Sequence, residues 1–408
     1  MDLLDIIPVW AVMLSASLCL LGLAIFLRFR VIRSVADPNM TNLFQAMFTF
    51  FVLLLVGDLL IVDAIGFLIF CGLLIKFQDT KKCGTPIISN GDWVSFCKVF
   101  VIVLLILNIY LLTQKGFLLF SEDIGTARLE FYQGWGLFSR LNAVGVGLTV
   151  ITAATLWYEG HRKQAIAIAL FSAYLSLMLG SRSGLLACLF AYGAYLHFSE
   201  KHISTKRIML AGATLGLSSL VIFFVMFGTQ FLGAFAYRVV SYADGPIYYF
   251  HDHMDRYTDY PPTYMFGELL TDLRLQPNYE GMAASDRPLP LGRFINFHHF
   301  GSDTLLVGPN PQLFVESHAA FHWLSIFWYV LVAVIFILLR RKTSTAFSFY
   351  LGCSIAGPLL GDATFAGSQV FTVMLILSLV GAFLLIRYVL RQASAGATGK
   401  MVKARCNP

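Results

Sequence analysis

The segment GPNPQLFVESHAAFHW puts Glu316 and His318 immediately before an apolar run. A carboxylate or an imidazole at the external mouth of a membrane span can take the proton from an attacking hydroxyl, the work of a general base. The competing reading is that both merely cap a helix N-terminus, where a glutamate is favourable. Arginines supply the complementary chemistry: a guanidinium is a planar fork that grips phosphate through two parallel bonds and stays charged near lipid. Arg182 is the sharpest instance. It sits in GSRSG between two apolar stretches, where Gly180, Ser181, Ser183 and Gly184 leave room for a ligand to approach the backbone. An ionisable residue at membrane depth is a functional candidate in its own right. Arg128 and Arg140 belong to SEDIGTARLEFYQGWGLFSRLN; a local ion pair with Glu130 or Asp123 is the plain alternative for Arg128, and interface anchoring for Arg140. Arg238 and Tyr242 interrupt the apolar, aromatic stretch FLGAFAYRVVSYADGPIYYF, which can lie along a membrane surface. Its tyrosines offer stacking faces for a sugar ring, or form the ordinary aromatic belt of an interface.

Two weaker constellations stand beside these. His251, Asp252, His253 and Asp255, with His298, His299 and Asp303 further on, have metal-ligand chemistry. No third ligand has a recognisable spacing, so the expectation is a chain without a catalytic metal or other cofactor. Asp58 and Asp63 flank a tight hairpin; they offer a proton or cation site, with hairpin solvation the plainer reading. The seven cysteines form no CxxC or Cys/His pattern.

The elements that must carry these side chains follow from composition. The chain has 408 residues, 58% hydrophobic and 13% charged, with mean hydropathy +0.73. Soluble domains carry roughly 25% charged residues. A chain of this make-up is all-α and polytopic in a membrane; the net charge of +6 is scattered between apolar runs and does not describe a nucleic-acid binder. Apolar runs lie at about 6–27, 99–114, 138–157, 208–228, 319–339, 346–363 and 368–387. Two longer ones, about 43–76 and 165–198, are interrupted at Gly57-Asp58 and at GSRSG and read as helical hairpins, giving about eleven spans. The internal connections then hold 20 of the 29 Lys and Arg, which places the N-terminus outside and the C-terminal tail inside. The remaining stretch, 229–317, becomes one long external loop within a single transmembrane domain, 1–408. Such a loop is too long to be a mere connector.

The pattern resembles the O-antigen polymerases, the Wzy-type oligosaccharide repeat-unit polymerases. The residues that carry the resemblance are Thr126-Ala-Arg128-Leu-Glu130-Phe, Gly180-Ser-Arg182-Ser-Gly184, Arg238-x-x-x-Tyr242 and Gly308-Pro-Asn310-Pro, in that order along the chain. The related O-antigen ligases share a long periplasmic loop with functional Arg and His, and His318 stands in a comparable place. The resemblance implies a GT-C-like membrane glycosyltransferase in the bacterial inner membrane. It would act on undecaprenyl-pyrophosphate-linked oligosaccharide at the periplasmic face, without a nucleotide site, and a chain-length regulator is a possible partner. On this reading Arg128, Arg140, Arg182, Arg238, Tyr242 and Asn310 hold pyrophosphate and glycan, and Glu316 or His318 is the base. A ligase acting on lipid A-core and a lipid-linked sugar flippase are the alternatives.

Overall fold

The computed structural model describes residues 6–32, 37–77, 86–116, 136–178, 182–198, 237, 239–254, 291–300, 309–341 and 343–405. Every regular element among them is helical. Among the described residues five helices are long and apolar enough to cross a membrane: Val9–Arg28, Asn90–Lys115, Leu137–Tyr158, Gln312–Arg341 and Phe365–Gln392. That is the make-up of a multi-pass membrane protein. The expected apolar run at 208–228 lies outside the described residues.

The chain divides into two compact units. Unit 1 comprises Met1–Thr85 and Leu189–Val370; unit 2 comprises Pro86–Cys188 and Phe371–Pro408. In unit 1, α1 (Val9–Arg28) packs on α2 (Met40–Val56), and α2 turns back into α3 (Ile61–Lys76) at Gly57. Gly57 has φ 90°, a left-handed conformation that glycine adopts without strain, so the interrupted run at 43–76 forms the expected hairpin. α3 lies along α11 (Ser325–Arg341). The close approach depends on Gly66: a Cβ there would stand 2.3 Å from Cδ2 of Tyr329. Phe50, Phe67, Phe314 and Tyr329 continue this contact as a chain of rings with successive centroids 4.8, 5.1 and 5.9 Å apart. Aromatic pairs at such spacings favour a fixed geometry beyond their burial.

The stretch read as one long loop is partly built into this core. α8 (Asp244–His251) buries Gly245 to Phe250, and α9 (Leu291–Phe300) packs against it. The loop boundary expected at 317 is also earlier, because α10 (Gln312–Phe321) begins five residues before it. α10 is separated from α11 by a single 3-10 turn, His322–Leu324. α12 (Ala346–Ala356) follows, closed at its start by a capping box in which Thr345 and Ser348 bond reciprocally. α13 (Ala363–Arg405) then begins after a short 3-10 turn, Pro358–Leu360, so the run at 346–363 is a short helix and a turn.

Unit 2 is held by polar contacts inside apolar helices. α4 (Asn90–Lys115) is capped by Ser89, whose hydroxyl accepts from the Asp92 N–H. Asn108 on α4 and Asn142 on α5 (Gly136–Tyr158) exchange amide bonds of 3.1 and 3.3 Å. Ser172 on α6 (Arg162–Met178) donates to Thr149 at 2.7 Å. Where the surroundings are as apolar as the side chains, such bonds and close packing are what join helices. α6 ends at Met178 and α7 (Arg182–Phe198) begins at Arg182, so Arg182, Ser183 and Gly184 of the expected interruption belong to a helix, while Gly180 and Ser181 lie outside the described residues.

Candidate functional site

The four described site residues of unit 1 gather around α10. Its start is pinned twice by Gln312, which is fully buried: the backbone N–H donates to the Gly361 carbonyl at 2.8 Å and Nε2 to the Tyr242 carbonyl at 3.0 Å. Tyr242 thus contributes its backbone to positioning α10. Asn310 does likewise, since its carbonyl oxygen would lie 2.1 Å from a Cβ at Gly245. Its side chain is exposed. The GPNP segment and the Tyr242-to-Gly245 segment, distant in sequence, are therefore fitted backbone to backbone.

Both ends of α10 sit at positive φ without glycine: Gln312 at 57° and His322 at 48°. Such residues cost about 1–3 kcal/mol each and persist where the surroundings hold them. Between them lie Glu316 and His318. They are two residues apart, so on a helix of 3.6 residues per turn they face nearly opposite sides. They do not converge on one proton.

Glu316 is buried, not at a solvated mouth. Its Oε1 accepts the backbone N–H of Ala363, the first residue of α13, while Asp362 accepts from Phe365 N–H at 3.2 Å. The capping expected for Glu316 does occur, but on another helix, 47 residues away. Its second oxygen, Oε2, has no hydrogen-bond partner among the described residues.

His318 turns to α3. Its Nδ1 stands 3.6 Å from Oδ2 of Asp63, and Ser317 Oγ donates to the other Asp63 oxygen at 3.1 Å. Asp63 is wholly buried, so the hairpin-solvation reading of this residue is corrected. Its place in the first turn of α3 puts its charge where the helix dipole favours it. Tyr329 completes the group, its ring seated on Gly66 one turn beyond Asp63. Asp63 Oδ2 and His318 Nδ1 are both buried, and among the described residues neither has a hydrogen-bond partner beyond their own 3.6 Å approach. Around the imidazole stand Tyr249, Phe250 and His322, with ring centroids 6.4, 5.9 and 5.7 Å away. A proton on Nδ1 facing Asp63 leaves Nε2 as an acceptor, the tautomer a general base needs.

The remaining site residues are distributed differently. Arg140 is half-buried on α5 in unit 2. Arg182 opens α7. Arg128 and Arg238 lie outside the described residues. Asp252 pairs with His299, whose ring stacks on Tyr248 at 4.0 Å, and among the described residues no group of three His, Cys, Asp or Glu side chains could hold a metal ion.

Asp63 was weighed from sequence as a proton or cation site and set below hairpin solvation; Tyr329 and Asp362 were not singled out. Asp63 did carry a signal, a carboxylate inside an apolar helical run, IVDAIGF. Tyr329 and Asp362 carried none.

The chain matches no protein-family model, and neither a curated protein nor a solved structure matches it. The likeness to the O-antigen polymerases therefore rests on the motifs quoted above.

Proposed function

We propose that this chain is a membrane glycosyltransferase that polymerises undecaprenyl-pyrophosphate-linked oligosaccharide repeat units at the periplasmic face of the bacterial inner membrane. About eleven spans in a GT-C-like arrangement would place the N-terminus outside and the tail after Arg387 inside. The observation that carries the reading is the Asp63–His318 pair: a buried imidazole 3.6 Å from a fully buried carboxylate, on the helix that the Tyr242 and Asn310 segments hold in place. Catalytic hydrogen bonds are often long before substrate binds.

In the reaction a hydroxyl of the incoming lipid-linked unit attacks the anomeric carbon of the growing chain. The C–O bond to the carrier pyrophosphate breaks, and the pyrophosphate leaves with the bonding pair. His318 Nε2 takes the hydroxyl proton, and Asp63 steadies the imidazolium that forms. The resemblance assigns the charge growing on the departing pyrophosphate to Arg128, Arg140, Arg182 and Arg238, since preorganised donors stabilise such charge in the transition state. Glu316, facing the start of α13, shapes the site rather than sharing the base's work.

A second reading has its own observation. Asp63 and Glu316 are buried carboxylates, each with an oxygen that has no hydrogen bond among the described residues, a feature of ion pathways in transporters, and it favours a proton-linked carrier of lipid-linked sugar. Purified protein supplied with lipid-linked repeat units separates the two. A ladder of chain lengths supports polymerisation, and transfer to lipid A-core supports the ligase. Movement of the units across a vesicle membrane with no new glycosidic bond supports transport.

A further inference from the structure

His318 is only 9% exposed, and an imidazolium formed on it must lose its proton before the next turnover. We propose that His322 is the proton exit of the site: it takes the proton from His318 and passes it to water at the membrane surface. The inference rests on the glycosyltransferase reading and supplies the step that restores its base.

The surroundings of His318 leave few routes. Its Nδ1 faces Asp63, which is itself wholly buried. Among the described residues three rings stand around the imidazole: Tyr249, Phe250 and His322. Phenylalanine has no group that takes a proton, and a tyrosine hydroxyl ordinarily keeps its own up to about pH 10. An imidazole takes and returns protons near neutral pH. The two histidine rings are 5.7 Å apart, centroid to centroid, and nearly perpendicular at 85°. That separation suits transfer through one bridging water. Exposure rises along the same path: His318 is buried, His322 is half-buried and Trp323 is 77% exposed. Tryptophan is enriched where a membrane meets water, so the step from His318 to His322 leads toward that boundary.

The backbone is a separate observation. His322 N–H donates to the His318 carbonyl, and φ 48° with ψ −121° at His322 makes the break between α10 and α11. Glycine fills such a conformation without strain. A cation at the end of α10 complements the helix dipole, but a neighbouring position would serve that purpose without strain. Neither turn geometry nor the dipole accounts for a histidine at this position. A relay does, because it needs an imidazole beside His318 and nearer to water. The protons balance. The O–H bond of the attacking hydroxyl breaks as an N–H bond forms at His318 Nε2. That N–H bond breaks as one forms on His322, the proton goes on to water, and both imidazoles end neutral.

The test is polymer made per folded protein by wild type and His322→Gly, at neutral pH in dilute phosphate buffer, with and without added imidazole. His322→Gly should keep or raise the Tm, because glycine suits the turn. Its kcat should fall by about 10²-fold, the lower end of what a proton-transferring side chain contributes, with KM little changed. Free imidazole should restore most of that loss and leave the wild type unaffected. Wild-type turnover from His322→Gly without imidazole would overturn the proposal, and so would a loss that imidazole does not restore, which marks a purely structural role. A wild type that forms no ladder would overturn the glycosyltransferase reading, and the proposal with it.

Discussion

At the Arg340 end of α11, a guanidinium meets Asp37 through two bonds of 2.7 Å, takes the Val31 carbonyl at 3.2 Å, and lies between two aromatic rings. At the Tyr329 end, Asp63 and His318 are just as deeply placed, yet they meet only at 3.6 Å, and among the described residues neither of the facing atoms has a hydrogen bond. The same pair of helices thus buries charge in two ways. Full pairing makes a group part of the fold, and removing one partner strands the other. An incompletely paired group already bears much of the desolvation cost that a substitution would otherwise expose. The contrast makes Arg340 and Asp37 part of the fold's stability, and on the proposed function it leaves His318 and Asp63 for chemistry.

The comparison breaks most sharply on substitution. His318→Ala should lower polymer made per folded protein by about 10²–10⁴-fold, the usual contribution of a general base, with the Tm little changed. Arg340→Ala should do the reverse. It leaves Asp37 buried without its cation, at a cost of about 3–5 kcal/mol, and folded protein in the membrane should fall steeply while the surviving fraction keeps wild-type turnover. Fluorescence-detected size-exclusion chromatography beside the polymer assay reads both quantities. Normal folded yield for Arg340→Ala would remove the contrast.

Gly66→Ala sharpens it. The added methyl meets the Tyr329 ring, and overpacking of this kind costs about 1–3 kcal/mol. Because the ring must shift away from Asp63, turnover should fall together with Tm, linking the two properties at one position.

The smallest effect is on pH. Burial pushes the Asp37 carboxyl up, but the Arg340 guanidinium outweighs it and holds the group below the usual carboxylate range. A carboxyl depressed in the folded state contributes stability that is full above its unfolded value, about 3.9, and is lost as pH falls through the lower folded value. Tm measured downward from neutral pH should stay level until below about pH 4 and then drop. Asp37→Asn should flatten that acid limb.

Parts of this arrangement were legible in the sequence for definite reasons. A helix needs about 20 residues to span, so the run at 43–76 had to turn, and Gly57-Asp58 was the one place suited to it. The break at GSRSG was expected on the same ground, but Arg182, Ser183 and Gly184 belong to α7 and the rest lies outside the described residues. The start of α10 was not, because GPNPQ reads as loop until the Gln312 bonds to Gly361 and Tyr242 are known. Long-range pairing was least legible. Arg340 and Asp37 are 303 residues apart, and hydropathy treats both as loop charges. Asp63 was visible but discounted, since a carboxylate next to a hairpin is ordinarily solvated; only the 254-residue contact to Ser317 shows it turned inward.

The central claim is that the Asp63–His318 pair serves glycosyl transfer. The direct measurement is the ladder of chain lengths formed from purified lipid-linked repeat units, per unit of folded protein, by wild type, Asp63→Asn and His318→Ala. The account predicts a ladder from wild type, a much weaker one from Asp63→Asn with kcat falling more than KM rises, and almost none from His318→Ala. Ladders of wild-type intensity from both variants, at equal folded protein, would contradict it.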